Sequence, residues 1–333
     1  MGVMKRDGRY EFFIGAFHPD QGAEDPPQTF TFRLIGDDIT SLRPPLVDGS
    51  GRAMPVLDPG KPGSYNDHIA GNGSVYHDAK TGKTYFWYQA MQSITPEAAA
   101  KKQEVHGSAF YPAYGRIGLA IWNDARQRFD DMGYVLEPNL TFKTFEADPR
   151  FAYADTFPPA VVWNGEFLYM YYSDYSSEPP KPGEEPDLAV ARLRVSELDR
   201  NPQPWRKLSG GKFVGEAMGG PFTPLIPDTL FCSVSFNTCL QKWIMVHMGT
   251  EGEHILYWRT SDDGLDWSDA VELARYPSDT DWSLSPTIIG TGDDPTRSGK
   301  KFWVYYEYAP SSRSTKDFGW LVRRSVELNP GDR

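Results

Sequence analysis

Short runs of β-branched and aromatic residues, interrupted by Gly, Pro, Asn and Asp, make up most of this 333-residue chain. Such turn-punctuated runs predict strands almost throughout. The clear exception, Pro96 to Val105 (PEAAAKKQEV), reads as a short helix within a loop. The strand pattern repeats. GNGSVYHDAKTGKTYFWYQA (71–90), PPAVVWNGEFLYMYYSD (158–174), FCSVSFNTCLQKWIMVHMG (231–249) and SPTIIGTGDDPTRSGKKFWVYYEY (285–308) share one template: an apolar strand, a tight turn, an aromatic-rich strand. A third strand follows each, in GRIGLAIWND, DLAVARLRVS, HILYWRTSDDGLDW and FGWLVRRSVEL.

Repeated antiparallel units of this kind cannot bury both faces alone, so radial packing into an all-β, five-bladed β-propeller is expected. A β-sandwich, the alternative for a strand-rich chain, lacks the blade-like period. A degenerate first copy fits residues 9–40, where RYEFFIGAF and TFTFRLIG would be its middle and outer strands; the clear repeats cover residues 64–328. The Pro-rich stretches Pro55 to Gly63 and Glu178 to Pro186 read as loops between strands, so residues 1–333 read as one domain.

The repeat aligns polar residues as well as apolar ones. In a blade, the start of the first strand and the end of the second meet at the same mouth of the central channel. Asp67 with His68, Asp155, Asp228, and Asp281 with Trp282 precede the four first strands. Gln89, Ser173, His247 and Glu307 fall near the ends of the second strands. A ring of carboxylates at one mouth is therefore expected, in which neighbouring acids perturb one another's proton affinity. An Asp before a strand is also an ordinary turn residue, so the case rests on the shared register. His68 and His247 read as hydrogen-bonded wall residues, not metal ligands. Glu216, ahead of the Gly219–Gly220 bend, is a candidate general acid or a surface loop residue. Tyr65, Phe157, Trp282 and Tyr308 are candidate platforms for sugar rings.

With 34 basic and 45 acidic residues the chain carries a net charge of −11, which argues against nucleic acid and acidic membrane surfaces as partners. A small molecule or oligosaccharide suits this field better. No apolar run reaches the ~18 residues of a membrane span, and the N-terminal residues lack a signal-type apolar stretch, so a cytoplasmic location is expected unless a leader has been removed. Cys232 and Cys239 read as free thiols; a disulfide between them is the less favoured pairing. No cofactor is expected, although a channel Ca²⁺ is compatible with an aspartate ring.

These motifs resemble the five-bladed propeller glycosidases of glycoside hydrolase families 43, 62, 32 and 68. VVWNGEFLYMYYSD is similar to their strand–turn–strand pattern, and RTSDDGLDW to their S-x-D-G-x-x-W turn. Asn66-Asp67 resembles the NDPNG start of family 32, and Asp148-Pro149 its RDP. The resemblance implies cleavage of a glycosidic bond in a furanoside or small neutral glycan. Asp67 would be nucleophile or base, Asp155 the second aspartate that holds substrate and tunes the acid, and Glu216 that acid. The chain departs from the pattern where His68, not proline, follows Asp67, and where Gly220-Pro221 stands four residues beyond Glu216. Asp148 competes with Asp155 but lies outside the internal register. Two other readings stay open: a propeller lyase, isomerase or cyclase acting on a small metabolite, and a carbohydrate-binding propeller without activity.

Overall fold

The structure, a computed structural model, describes residues 1–17, 28–107, 112–151, 153–156, 158–175, 186–227, 229–249, 252–276, 282–309 and 320–328. Their strands form four hydrogen-bonded sheets; in the first, of eight strands, a parallel pairing of Thr29 with Ile69 joins two antiparallel meanders, so that the chain runs through five meanders in succession. The first comprises β1 (Gly2–Arg6), β2 (Arg9–Phe17), β3 (Thr29–Gly36) and the short β4 (Pro55–Leu57). The second holds β5 (Ile69–Asp78), β6 (Lys83–Ser93), β7 (Ala113–Asn123) and β8 (Arg128–Leu136). Next come β9 (Ala160–Trp163), β10 (Phe167–Asp174), β11 (Asp187–Arg194), β12 (Arg206–Ser209) and β13 (Lys212–Glu216). The fourth contains β14 (Leu230–Asn237), β15 (Lys242–Gly249), β16 (Gly252–Ser261) and β17 (Val271–Arg275). The fifth contains β18 (Trp282–Gly290), β20 (Lys301–Ala309) and β21 (Trp320–Glu327), while β19 (Arg297–Ser298) pairs in parallel with β14 of the preceding blade.

The first strand of every meander, β1, β5, β9, β14 and β18, lines one narrow central channel. The apolar clusters lie between blades. Trp87, Leu119, Met170 and Ala191 join the second blade to the third; Val162, Tyr171, Val234 and Met245 join the third to the fourth. Ile244, Leu256, Ile288 and Val304 fill the next gap. Phe13 and Phe86 pack between the first two blades, and Phe12 with Tyr305 closes the ring from fifth to first. The all-β propeller class of fold is as predicted. Alternating side chains on each strand serve opposite neighbours, as Val161 and Val162 of β9 do.

Inner-strand serines stitch adjacent blades. Ser74 Oγ accepts from the Val161 amide at 3.0 Å, and Ser233 Oγ from the Ile288 amide at 2.9 Å. Within the second blade, Gly73 lets β5 lie against β6, because an added Cβ would fall 1.9 Å from the Trp87 carbonyl oxygen. The S-x-D-G-x-x-W segment is a tight turn in which Gly264 takes φ +81° and its carbonyl accepts from Trp267 Nε1 and from Tyr171 Oη of the third blade.

Several elements differ from expectation. The predicted helix is α1 (Pro96–His106), but a second, α2 (Phe142–Ala147), is capped by Thr141 Oγ1 accepting from the Thr144 amide. The first blade gains an inner strand, β1, too short to read from pattern. Part of the expected loop at 55–63 is β4, paired to β3. Cys232 and Cys239 are free thiols, the first buried and the second exposed.

One buried polar group ties the second and third blades. Gln203 Oε1 accepts from both Trp87 Nε1 and Trp205 Nε1 at 3.0 Å, and its Nε2 donates to the Leu198 carbonyl at 2.8 Å. Gln203→Leu would strand two buried indole N–H groups, and urea unfolding should show a loss of about 2–4 kcal/mol.

Candidate functional site

The register places the anticipated residues at one mouth of the channel. Gly71 pairs with Gln89 where β5 begins and β6 ends, Cys232 pairs with His247, and Leu284 pairs with the half-buried Glu307. Asp155 precedes β9, and its neighbour Thr156 bridges Asp174 at the end of β10. Asp228, Asp281 and Phe157 lie outside the described residues; Trp282 opens β18, and its side chain lies outside them too.

The densest group sits between the second and third blades, where the apolar cluster gives way to polar side chains. Asp155 is fully buried. Its Oδ2 accepts from Gln89 Nε2 at 3.2 Å, and its Oδ1 has no hydrogen-bond partner. Burial pushes this carboxyl up to about 7; the hydrogen bond from Gln89 opposes the rise and the nearby Asp174 charge adds to it. Backbone contacts fix the loop, because the Asp155 carbonyl accepts from the Tyr175 amide and the Ala154 carbonyl from the Gly115 amide. Gly115 is required here. A Cβ on it would fall 1.4 Å from Asp155 Oδ1.

Asp174 is the residue that pattern reading missed. Ser173 shares a face of β10 with Tyr171 and turns toward the fourth blade, where its Oγ accepts from the Phe231 amide at 3.2 Å. Asp174, one residue on, shares the face of Met170 and Tyr172 and turns toward Asp155. In a strand a one-residue step reverses the face. The signal was present in the final letter of YYSD.

Asp67 is held differently. Its Oδ2 accepts from the Gly63 amide and its Oδ1 from the Ser93 amide, both at 2.7 Å. Strand β6 thus anchors both aspartates, Asp155 through Gln89 and Asp67 through Ser93, with the anchors about 13 Å apart at strand rise. His68 is buried and held by burial down to about 4, the Asp67 charge opposing. His247 is a hydrogen-bonded wall residue: Nδ1 bonds the Met248 carbonyl at 2.8 Å, so Nε2 accepts from Arg259 Nε at 3.1 Å. Burial lowers it to about 4 as well.

Glu216 does not reach the mouth. It ends the outermost strand β13, exposed, and its register runs through Arg206, Arg192 and Tyr169 to Val162. Four inter-strand steps put it about 19 Å from the inner strand, at mid-height of the blade. The glycine bend after it instead returns the chain to Glu137, whose amide donates to the Ala217 carbonyl. Glu137 follows β8 at the mouth end and pairs with Arg116 at 3.3 Å. That guanidinium lies over the rings of Tyr114 and Tyr134 and donates to Gln92 Oε1. Asp148 stands apart, salt-bridged to Arg150 beyond α2. Tyr65 donates to Asp131, and Tyr308 stacks on Tyr276 at 4.7 Å within the apolar cluster of the fourth and fifth blades. Among the described residues no group of three or more His, Cys, Asp or Glu side chains converges as a metal site.

No known family profile matches the chain, and none of the curated proteins does. Solved structures do. A sucrose-6-phosphate hydrolase from Lactobacillus gasseri superposes with TM-score 0.59 at 11% identity, over 99% of this chain and 58% of that one. The catalytic domain of a Coprinopsis cinerea family 62 α-L-arabinofuranosidase gives 0.52 at 11%, over 97% and 87%. A β-xylosidase gives 0.54 at 14%, over 99% and 92%. The chain therefore has the propeller fold of these glycosidases.

Because the Asp155 carboxyl titrates higher in the folded than in the unfolded chain, the folded state binds the extra proton between about pH 4 and pH 7 and loses stability across that window as pH rises. His68 and His247, lowered on folding, act in the opposite sense. Comparing wild type with Asp155→Asn cancels them, and the difference in unfolding free energy should change by about 4 kcal/mol over the window.

Proposed function

We propose that this chain is a glycosidase-like enzyme that cleaves the O-glycosidic bond of a furanoside or small neutral glycan at the channel mouth. The observation that carries the reading is the Asp155 carboxyl, buried beside Asp174 and raised by burial to about 7, so that it is only partly ionised near neutral pH. A carboxylic acid so tuned is what protonation of a leaving oxygen requires. Asp155 takes the acid role that sequence resemblance gave to Glu216. Asp67, oriented through two backbone amides, serves as nucleophile or base; a carboxylate retains further lone pairs after accepting two hydrogen bonds. Asp155 is fully buried and its Oδ1 lies against Gly115, so the reading requires that substrate binding open this packing.

The fold supports the assignment at the level of class, since glycosidases share it. A second reading, a carbohydrate-binding propeller without turnover, is favoured by the displacement of Glu216 and by the backbone clamp on both Asp67 oxygens. The two separate on a panel of aryl furanosides and pyranosides. Asp155→Asn should lower kcat by about 10²–10⁴, Asp67→Asn should do likewise, and Glu216→Gln should leave it unchanged. Asp174→Asn should move the alkaline limb of the kcat/KM profile to lower pH, because a neighbouring negative charge would be gone. Full turnover by Asp155→Asn would sink the proposal.

A further inference from the structure

The channel has a second end. Where β1, β5, β9 and β14 finish, opposite the mouth with the aspartates, it opens into a bowl of about 470 Å³ that shares Val75, Val161, Pro295 and Thr296 with the channel wall. The channel itself has only about 60 Å³ of room, enough for a few waters. The bowl falls in the range of small-molecule sites, roughly 300–1,000 Å³.

Its lining is specific in kind. Trp163, the last residue of β9, is 46% exposed at the bowl, an unusual place for an indole. Half-buried Phe236 also lines the bowl, its ring centroid 5.2 Å from that of the buried Trp243 in edge-to-face contact. The half-buried Tyr76 phenol, also in the lining, is pushed up by burial and by the charges of Asp78 and Asp294. Asp294 is set by bonds from the Thr296 amide and hydroxyl at 2.9 and 2.6 Å. The lining also carries three cations: Lys5, whose Nζ donates to the Gly292 carbonyl, Arg297, whose guanidinium lies 5.0 Å from the Phe236 ring centroid, and Lys80.

We propose that this bowl is a second, non-catalytic binding site for a neutral mono- or disaccharide unit. The C–H face of a sugar ring matches an exposed indole, and its hydroxyls donate to fixed carboxylates and to the phenol oxygen. A wholly apolar ligand would cover those carboxylates without pairing them, at a cost of several kcal/mol. Lys5, Lys80 and Arg297 stand in the lining against Asp78, Asp293 and Asp294, so its formal charges balance and favour a neutral ligand over an ion of either sign. The site is independent of any reaction at the other mouth.

Titration of the full chain with xylose, arabinose, sucrose and xylobiose, followed by tryptophan fluorescence and amide chemical shifts, tests this. At least one sugar should give a saturable, millimolar response with shifts centred on Trp163, Tyr76 and Asp294. Trp163→Ala, which removes a largely exposed side chain, should weaken that binding about tenfold. Asp155→Asn should leave it unchanged, which separates this site from the proposed catalytic mouth. Absence of saturable binding by all four sugars, or equal affinity in Trp163→Ala, would overturn the proposal.

Discussion

Every blade of this molecule is a twisted sheet with two apolar faces, and neither face can be satisfied within the blade. Burial between neighbours is the constraint from which the rest follows. Phe12 of the first blade and Tyr305 of the fifth meet edge to face at 5.6 Å, so the last interface is formed by the two ends of the described fold. Ring closure therefore contributes hydrophobic burial as large side chains, each worth roughly 1.5–3 kcal/mol when fully buried. The inner-strand serines add direction to this otherwise non-directional attraction. Their hydroxyls set the height at which one blade meets the next.

Placement of polar chemistry follows from the same geometry. Along the gap between the second and third blades, Tyr85, Trp87 and Leu119 pack against Leu168, Met170 and Tyr172. Continuing both strands toward the mouth replaces that packing with Gln89, Gly115, Asp155 and Asp174. The gap does not widen there, because Gly115 lets the backbone of β7 lie against a carboxylate. The acid is consequently desolvated by the same packing that holds the blades together. Its shifted proton affinity is a property of the interface, not of a separate pocket, and it costs stability near neutral pH. A chain selected for stability alone would fill the position with an apolar residue.

Much of this was legible in the amino-acid order. The repeat of apolar run, turn and aromatic run located the middle strands, and its register located Asp155 and Gln89, which the fold brings into hydrogen-bond contact. Outer strands were less visible because β8, β12, β13 and β17 are half-exposed and carry mixed polar patterns. Strand β1 was hidden by its length of five residues. Asp174 escaped because a register argument ranks positions along a strand, whereas the face is decided by parity, and a single residue reverses it. Glu216 misled for a related reason. The glycine bend after it says nothing about how far out in the blade the chain has travelled, and Glu216 ends the second of two strands, β12 and β13, added outside the repeated three.

The two ends of the channel differ in a way that the strand direction enforces. At the mouth, first strands begin and second strands end, so residues from adjacent blades converge and side chains such as Gln89 can cross from one blade to the next. At the far end the tight turns between first and second strands splay outward, as at Asn164, whose Oδ1 accepts from the Glu166 and Phe167 amides. Turns that close on themselves leave the preceding strand residue exposed, and Trp163 stands there. Asp67, Asp155 and Asp174 are therefore buried at the convergent end, and the exposed Trp163 indole stands at the divergent one. Proton chemistry needs the first environment and recognition of a sugar face needs the second, so the two proposed sites draw on opposite ends of one axis and on separate sets of residues.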